Sequence, residues 1–286
     1  MPLKIEKATA TGFCYGVRRA IDTLEKTARE RGRIETLGEV VHNRQVLDGL
    51  GQKGISIANS IDEIQGKLVA ISAHGVGPQV EAEIRARGIE VVDFTCSFVK
   101  RAQRAARRLA RDGFFVIVYG DASHPEVKGI LGWADNKGLA TTDIAAVARL
   151  DLPRRLGVLS QTTQIPANFH DFVKKLVDFA LVREGELRVI DTICRDVLGR
   201  QQAAIELAKR VDLIFVIGSR NSANTTHLAE LCATVTKTHQ IETAADVQPA
   251  WLAGHHHVGV TGGTSASEQT IDEVVEKLTA LGGVTQ

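Results

Sequence analysis

Three stretches of the chain repeat one pattern of apolar spacing. Val17, Ala20, Ile21, Leu24 and Ala28 recur at intervals of three and four and stop at Gly32. Val99, Ala102, Ala106, Leu109 and Ala110 do the same before Gly113, and Ala204, Leu207, Ala208 and Val211 make a third set. That period places apolar residues on one face of an α-helix, and glycine is a natural stop. Each predicted helix leads into a short apolar run, Ile34–Leu37, Phe114–Gly120 and Leu213–Gly218. The last two are almost continuously apolar, as expected for parallel strands covered on both faces. All three runs end in polar loops, GEVVHN, GDASHPEV and GSRNSAN.

A cysteine opens each of these helices: Cys14, Cys96 and Cys194. The distances that follow agree, since His42, His124 and Ser222 each lie 28 residues beyond their cysteine. Each segment offers a second predicted strand with a polar tip, LVAISAHG ending near His74, LGVLSQTT near Thr162 and VGVTGGTS near Ser265. Strands also lead into two of the cysteines, EVVDFTC and RVIDTIC, with Asp93 and Asp191 three residues before the thiol. A repeat of about ninety residues predicts an α/β fold of three similar small parallel-sheet lobes. The predicted lobes span 12–96, with an N-terminal strand before it, then 97–193 and 194–282. Ligands of such sheets gather beyond the carboxyl ends of the strands, so the lobes can face one central site.

Composition narrows the setting. In 286 residues, 44% are hydrophobic and 24% charged, the balance of an ordered globular protein. The net charge of +1 argues against a dedicated nucleic-acid binder. No leader-like or membrane-spanning apolar stretch is present, so the expectation is a cytoplasmic protein without a membrane partner. Four cysteines without a C-x-x-C pair, in that compartment, read as buried thiols, a catalytic thiol or metal ligands rather than disulfides.

Three thiolates, one from each repeat, suit the soft ligand set of an iron–sulfur cluster. They would hold a cubane by three irons and leave the fourth open to a substrate oxygen. Taken singly, each cysteine reads better as a core thiol; the repeat is what favours the cluster. His42, His74 and His124 with Ser222, Asn224 and Ser265 make a donor-rich set suited to a diphosphate. Gly218, Gly262 and Gly263 would let backbone N–H groups approach phosphate oxygens. A zinc site from the three histidines is the rival reading, although their spacing matches no compact zinc motif. Glu126, two residues after His124, is the candidate general acid, because a carboxyl in a closed pocket keeps its proton near neutral pH. Thr162 is placed to orient a hydroxyl or relay that proton.

At these residues the sequence resembles the 4-hydroxy-3-methylbut-2-enyl diphosphate reductase family. The matching segments are GFCYGVRRAI, EVVHNR, SAHGVGP, DFTC, GDASHPEV, SQTT, GSRNSANTTHLAEL and GVTGGTSA, which run from residue 12 to about 267. The resemblance implies three α/β lobes around a [4Fe–4S] cluster held by Cys14, Cys96 and Cys194. It implies reductive removal of an allylic hydroxyl from a diphosphate substrate, the last step of the methylerythritol phosphate route to isoprenoids. It also implies a ferredoxin- or flavodoxin-type electron donor. Carried over by residue, His42, His74, His124, Ser222, Asn224 and Ser265 become diphosphate and substrate contacts, Thr162 the hydroxyl contact, and Glu126 the proton donor.

Several positions depart from the family pattern. Ser97 follows the second cysteine where the family usually has a proline, and Lys100 and Arg101 come in place of the usual Thr-Lys pair. Tyr15 stands where a small residue is common, Val197, Leu198 and Gly199 replace Thr-Thr-Asn, Ala223 replaces a serine, and His227 an arginine. These departures leave open a paralogue acting on another allylic diphosphate. A cluster-bearing electron carrier or redox sensor, and a metal-free phosphate-binding protein, are the readings of other classes. Arg104, Arg107, Arg108 and Arg111 form a basic stripe, either a solvated face or a dock for an acidic donor. Cys232 reads as core, and His255, His256 and His257 as surface.

Overall fold

The computed structural model describes residues 3–285. They form three sheets in which every pairing is parallel. Strand β1 (Leu3–Lys7) and helix α1 (Tyr15–Arg31) come first. The first sheet then contains β2 (Ile34–Leu37), β3 (Ile55–Ala58), β4 (Leu68–Ile71) and β5 (Glu90–Asp93), with α2 (Arg44–Gln52) and α3 (Pro78–Ala86) between them. After α4 (Ser97–Arg111), the second sheet contains β6 (Phe115–Tyr119), β7 (Gly138–Ala140), β8 (Arg155–Ser160) and β9 (Glu186–Ile190). Its helices are α5 (Pro125–Trp133), α6 (Ile144–Ala148) and α7 (Pro166–Val182). After α8 (Arg195–Ala208) come β10 (Leu213–Ile217), α9 (Ala223–Ala233), β11 (Lys237–Ile241), β12 (His257–Gly262), α10 (Glu268–Ala280) and β13 (Gly283–Thr285).

The strand orders reveal one plan used three times: β3-β2-β4-β5, β7-β6-β8-β9 and β11-β10-β12-β1, with β13 added outside β1. The fourth strand of each sheet is the one that leads to a cysteine: β5 to Cys96, β9 to Cys194 and β1 to Cys14. The N-terminal strand therefore completes the third sheet, pairing with β12 more than 250 residues later in register Ile5↔Val258. The repeat is cyclic.

Burial explains the apolar runs. All five residues of β10 are 0% exposed, and β4 and the inner part of β6 are buried as well. Side chains point to both faces of a parallel strand, so helices on both faces leave no polar position in it. Each such Leu, Ile or Val contributes about 1.5–3 kcal/mol by leaving water. The outer strands β5 and β9 hold only exposed and partly buried residues. Two apolar cores belong to the third sheet, one around Phe215, Val260 and Ile271, the other around Leu207, Ile214 and Cys232. The second sheet has its own, around Val116, Ile130 and Leu109.

The chain divides into two compact units, Met1–Arg18, Val41–Val46 and Arg195–Gln286 in one, Arg19–Val40 and Leu47–Cys194 in the other. The third sheet belongs to the former, the first and second sheets to the latter. No helix among the described residues is long and apolar enough to cross a membrane.

Candidate functional site

Each of the three cysteines predicted as ligands stands immediately before the first residue of a helix: Cys14 before α1, Cys96 before α4 and Cys194 before α8. Each is fixed by the same hydrogen bond. The Cys14 N–H donates to Thr264 O at 3.2 Å, Cys96 N–H to Ala73 O at 3.0 Å, and Cys194 N–H to Thr162 O at 2.9 Å. Every acceptor lies two residues beyond the last residue of β12, β4 or β8. The repeat thus delivers a cysteine to the carboxyl tip of the third strand in every sheet. The aspartates before two of them serve the approach: Asp93 Oδ1 accepts from Thr95 N–H, and Asp191 Oδ1 from Ile193 N–H, both at 2.9 Å. Such Asx turns bend the chain from strand to helix. A helix N-terminus carries partial positive charge from its unpaired N–H groups, which favours a thiolate there. In α1 one of these groups, Val17 N–H, already points at Cys14 Sγ at 3.4 Å.

The second sheet holds the acid. His124 is the N-cap of α5, and its Nδ1 accepts from Glu126 N–H at 3.1 Å. In the neutral ring, Nε2 is then the protonated nitrogen, a donor. Pro125 at the first helical position suits this start, since it has no N–H to satisfy. Glu126 is only 3% exposed. Its Oε1 accepts from Thr162 N–H at 2.7 Å, and its Oε2 lies 2.8 Å from Thr162 Oγ1. Burial pushes the Glu126 carboxyl above its ordinary value, although the two bonds from Thr162 pull the other way. Burial prevails because, among the described residues, no cation offsets the loss of water. A chain of contacts results: Glu126 to Thr162, and Thr162 through its carbonyl to Cys194. His74 meets His124 edge to face, with ring centroids 5.4 Å apart, and its Nδ1 lies 3.4 Å from Ser72 Oγ.

The sequence reading missed what holds these groups together. Gly129 and Gly132, one turn apart on α5, lie against the loop that carries His74. A Cβ on Gly132 would come within 2.8 Å of Gly77 Cα, and one on Gly129 within 3.3 Å of Gly75 O. Trp133 Nε1 donates to Val76 O at 2.9 Å on the same seam. Glycine inside a helix costs about 1 kcal/mol relative to alanine, so two of them mark a packing need. That spacing was the available signal.

The third sheet presents neutral donors. Ser222 caps α9, accepting from Thr225 N–H at 3.4 Å, and lies 3.5 Å from Ser265 Oγ. Asn43 Nδ2 donates to Ser265 O at 2.8 Å. His42, partly buried, precedes it in the loop before α2. Asn224 is 4% exposed, and its Nδ2 has no acceptor. The three glycines expected to admit phosphate instead make room for the protein itself. A Cβ on Gly218 would approach Thr225 Oγ1 to 2.6 Å, one on Gly262 would approach Ile271 Cδ1 to 2.9 Å, and the space beside Gly263 is filled by Thr225. Their first role is close approach of α9 and α10 to the strand tips.

Cys232 is 0% exposed in an apolar core, and burial pushes its thiol up to about 12. It is a core residue, as expected. The histidine run is less uniform than a surface stretch. His255 Nδ1 lies 3.3 Å from Asp212 and His257 Nε2 3.0 Å from Glu6, both partly buried, and only His256 is exposed.

The repeated sheet and its tips define a class: a three-sheet parallel α/β protein with cysteine, imidazole and a buried carboxylic acid at the strand ends. Within that class, the LytB protein model matches residues 5–279. The chain belongs to the LytB family. It is 56% identical over 280 residues, 98% of this chain and 99% of the other, to the 4-hydroxy-3-methylbut-2-enyl diphosphate reductase of Dehalococcoides mccartyi. It is 40% identical to the reductase of the same name from Geobacter metallireducens, over 96% of this chain and 97% of that one. The solved structure of (E)-4-hydroxy-3-methyl-but-2-enyl diphosphate reductase, the terminal enzyme of the non-mevalonate pathway, superposes with a TM-score of 0.70 at 32% identity, covering 97% and 99% of the two chains. The Plasmodium falciparum reductase structure shares the fold, with a TM-score of 0.93 at 23% identity and 100% and 92% coverage.

Proposed function

We propose that this chain removes the allylic hydroxyl of (E)-4-hydroxy-3-methylbut-2-enyl diphosphate reductively, giving isopentenyl and dimethylallyl diphosphates. The carbon–oxygen bond breaks, two electrons and two protons are consumed, and the hydroxyl leaves as water. The family and its full-length relatives support the reaction. Cys14, Cys96 and Cys194 are the proposed ligands of a [4Fe–4S] cluster, and their donor set fits it. All are sulfur ligands, each at a helix N-terminus that stabilises negative charge. When bound, such a cluster supplies electrons and a Lewis-acidic iron.

The chain's own groups do the rest. Glu126 keeps a proton that its buried carboxyl releases reluctantly, and Thr162 Oγ1, within hydrogen-bond reach, passes it to the departing oxygen. This acid, tied by Thr162 to the backbone of Cys194, is the observation that carries the reading. His42, His74, His124, Ser222, Asn224 and Ser265 bind the diphosphate, spending remote binding energy on orienting the reacting carbon. Asn224 Nδ2, buried without an acceptor, is a donor that such an anion would satisfy. We assign the electrons to a ferredoxin- or flavodoxin-type donor in the cytoplasm, where thiols stay reduced.

The test is an anaerobic assay of the reconstituted chain with the diphosphate and dithionite plus a viologen. Both products should form, with iron and sulfide equal to one cubane per chain, and Cys14→Ala should lose the cluster. A stable cluster with no turnover would make the chain an electron carrier. Full iron content in Cys14→Ala would overturn the ligand set.

A further inference from the structure

Helix α4 carries Lys100, Arg101, Arg104, Arg107, Arg108 and Arg111 and no acidic residue in its 15 positions. The whole chain balances 35 basic against 34 acidic side chains, so this charge is concentrated rather than general. Lys100, Arg104, Arg107, Arg108 and Arg111 recur at three- and four-residue spacing, opposite the buried Val99, Ala102, Ala106 and Leu109. The stripe is about 16 Å long at 1.5 Å per residue.

Most of that charge is not neutralised within the chain. Lys100 pairs with Asp93 at 2.6 Å. Arg104 donates to the carbonyl of Lys100 at 3.1 Å, and Arg107 lies over the Trp133 ring at 5.5 Å. Among the described residues, none of Arg104, Arg107, Arg108 and Arg111 forms an ion pair, and all four are exposed. At the end of the helix, the Arg188–Asp112 and Arg155–Glu186 pairs cancel one another's charge. Like charges at i,i+4, such as Arg104 with Arg108 and Arg107 with Arg111, destabilise a helix. A solvated face gains nothing from stacking them. The same helix begins at Cys96, and Arg104 stands eight residues on, about 12 Å along the axis.

We infer that the exposed arginine face of α4 is the docking surface for an acidic electron-carrier protein. This rests on the reductase reading, which consumes two electrons per product. Two reduced one-electron carriers are then oxidised per turnover; the proton that leaves with the oxygen comes by way of Glu126 and the second from solvent. Charge complementarity steers such an encounter and sets its salt dependence.

The test uses the whole, cluster-loaded protein with a reduced acidic plant-type ferredoxin as the probe, and dithionite plus viologen as a donor that needs no dock. The variant Arg104→Glu/Arg108→Glu should raise the apparent KM for ferredoxin about tenfold or more at low salt, in line with electrostatic steering. Arg104→Gln/Arg108→Gln should raise it less, and turnover with dithionite should stay at the wild-type level in both, which also shows that the helix has folded. An unchanged ferredoxin KM overturns the dock. So does loss of binding to duplex DNA or to anionic vesicles in the charge-reversed variant without any change for ferredoxin. Wild-type protein that fails with dithionite overturns the reductase reading instead. Titration of ferredoxin against wild type and variant then still decides the dock: weaker binding by the variant supports it, and equal binding rejects it.

Discussion

The tips of the second and third sheets share a backbone and differ in chemistry. Counted from their cysteines, His124 matches Ser222 and Glu126 matches Asn224, at 28 and 30 residues. Both first residues are N-caps, of α5 and α9, and both second residues are nearly fully buried. Both cysteine N–H groups are held by the carbonyl two residues past the third strand. On this common frame the second sheet carries a closed acid pair, in which Thr162 satisfies Glu126. The third carries an open donor, Asn224 Nδ2, without an acceptor. A buried donor left unsatisfied costs about 1–3 kcal/mol. The repeat thus fixes where groups stand, and single substitutions decide whether a tip carries a buried acid or an unpaired donor.

The largest effect should come from closing off the proton. Glu126→Gln keeps the shape and removes the acid, so turnover should fall about 10²–10⁴-fold, the usual weight of a general acid, with iron content unchanged. Near-wild-type turnover would remove Glu126 from the chemistry. The pH profile carries the same message. Because burial raises the Glu126 carboxyl, the folded chain keeps this proton at pH values where the unfolded chain has lost it. Folding stability should therefore decline as pH rises from the ordinary glutamate range through the raised value, and turnover as pH rises through the raised value. In Glu126→Gln both declines should vanish. A wild-type profile of the same shape in the variant would assign the titration elsewhere.

Asn224→Ala should act on binding rather than chemistry. A hydrogen bond to a charged group is worth about 1.5–3 kcal/mol, so KM for the diphosphate should rise roughly ten- to a hundredfold while kcat changes little. A fall in kcat alone would place Asn224 with Glu126 and erase the contrast between the two tips.

Gly132→Ala tests the seam that the second sheet has. The new Cβ would meet the backbone at Gly77, which cannot swing aside as a side chain can. Overpacking of this kind costs about 1–3 kcal/mol, readable as a lower melting temperature. Because the seam sets the approach of His124 to His74, KM should rise with it. An unchanged melting temperature would show that the seam yields.

What the sequence revealed, and what it hid, follows from the range of the forces involved. The cysteines at helix starts and the covered strands β6 and β10 were legible because period and apolarity are local. Glu126 and Thr162 were legible as candidates for one proton path, though not the direct bonds between them. The place of β1 was hidden: five residues carry no sign that their partner is β12, because parallel pairing spans any separation along the chain. The Cys N–H bonds were hidden because backbone groups leave no mark in composition. They also refine the register. The residue after each clamping carbonyl is His74, Thr163 or Ser265, so Thr163, rather than Thr162, is the repeat counterpart of the other two. Gly218, Gly262 and Gly263 misled because glycine marks close approach without saying what approaches.

The smallest expected effect separates the fourth cysteine from the other three. Cys232 lies on α9, two turns beyond Asn224, among Ala204, Leu207 and Leu228. Burial holds its thiol near 12, so it stays protonated at any working pH, whereas a cluster ligand must be a thiolate. It also lacks the position at a helix N-terminus that the other three share. Cys232→Ala removes only a sulfur from an apolar contact, a loss of about 1 kcal/mol or so on the scale of small core truncations. Iron, sulfide and turnover should match the wild type, with a slightly lower melting temperature. Loss of iron in this variant would mean that a neutral core thiol and a helix-capping one are interchangeable, and the repeat would no longer tell which cysteines bind metal.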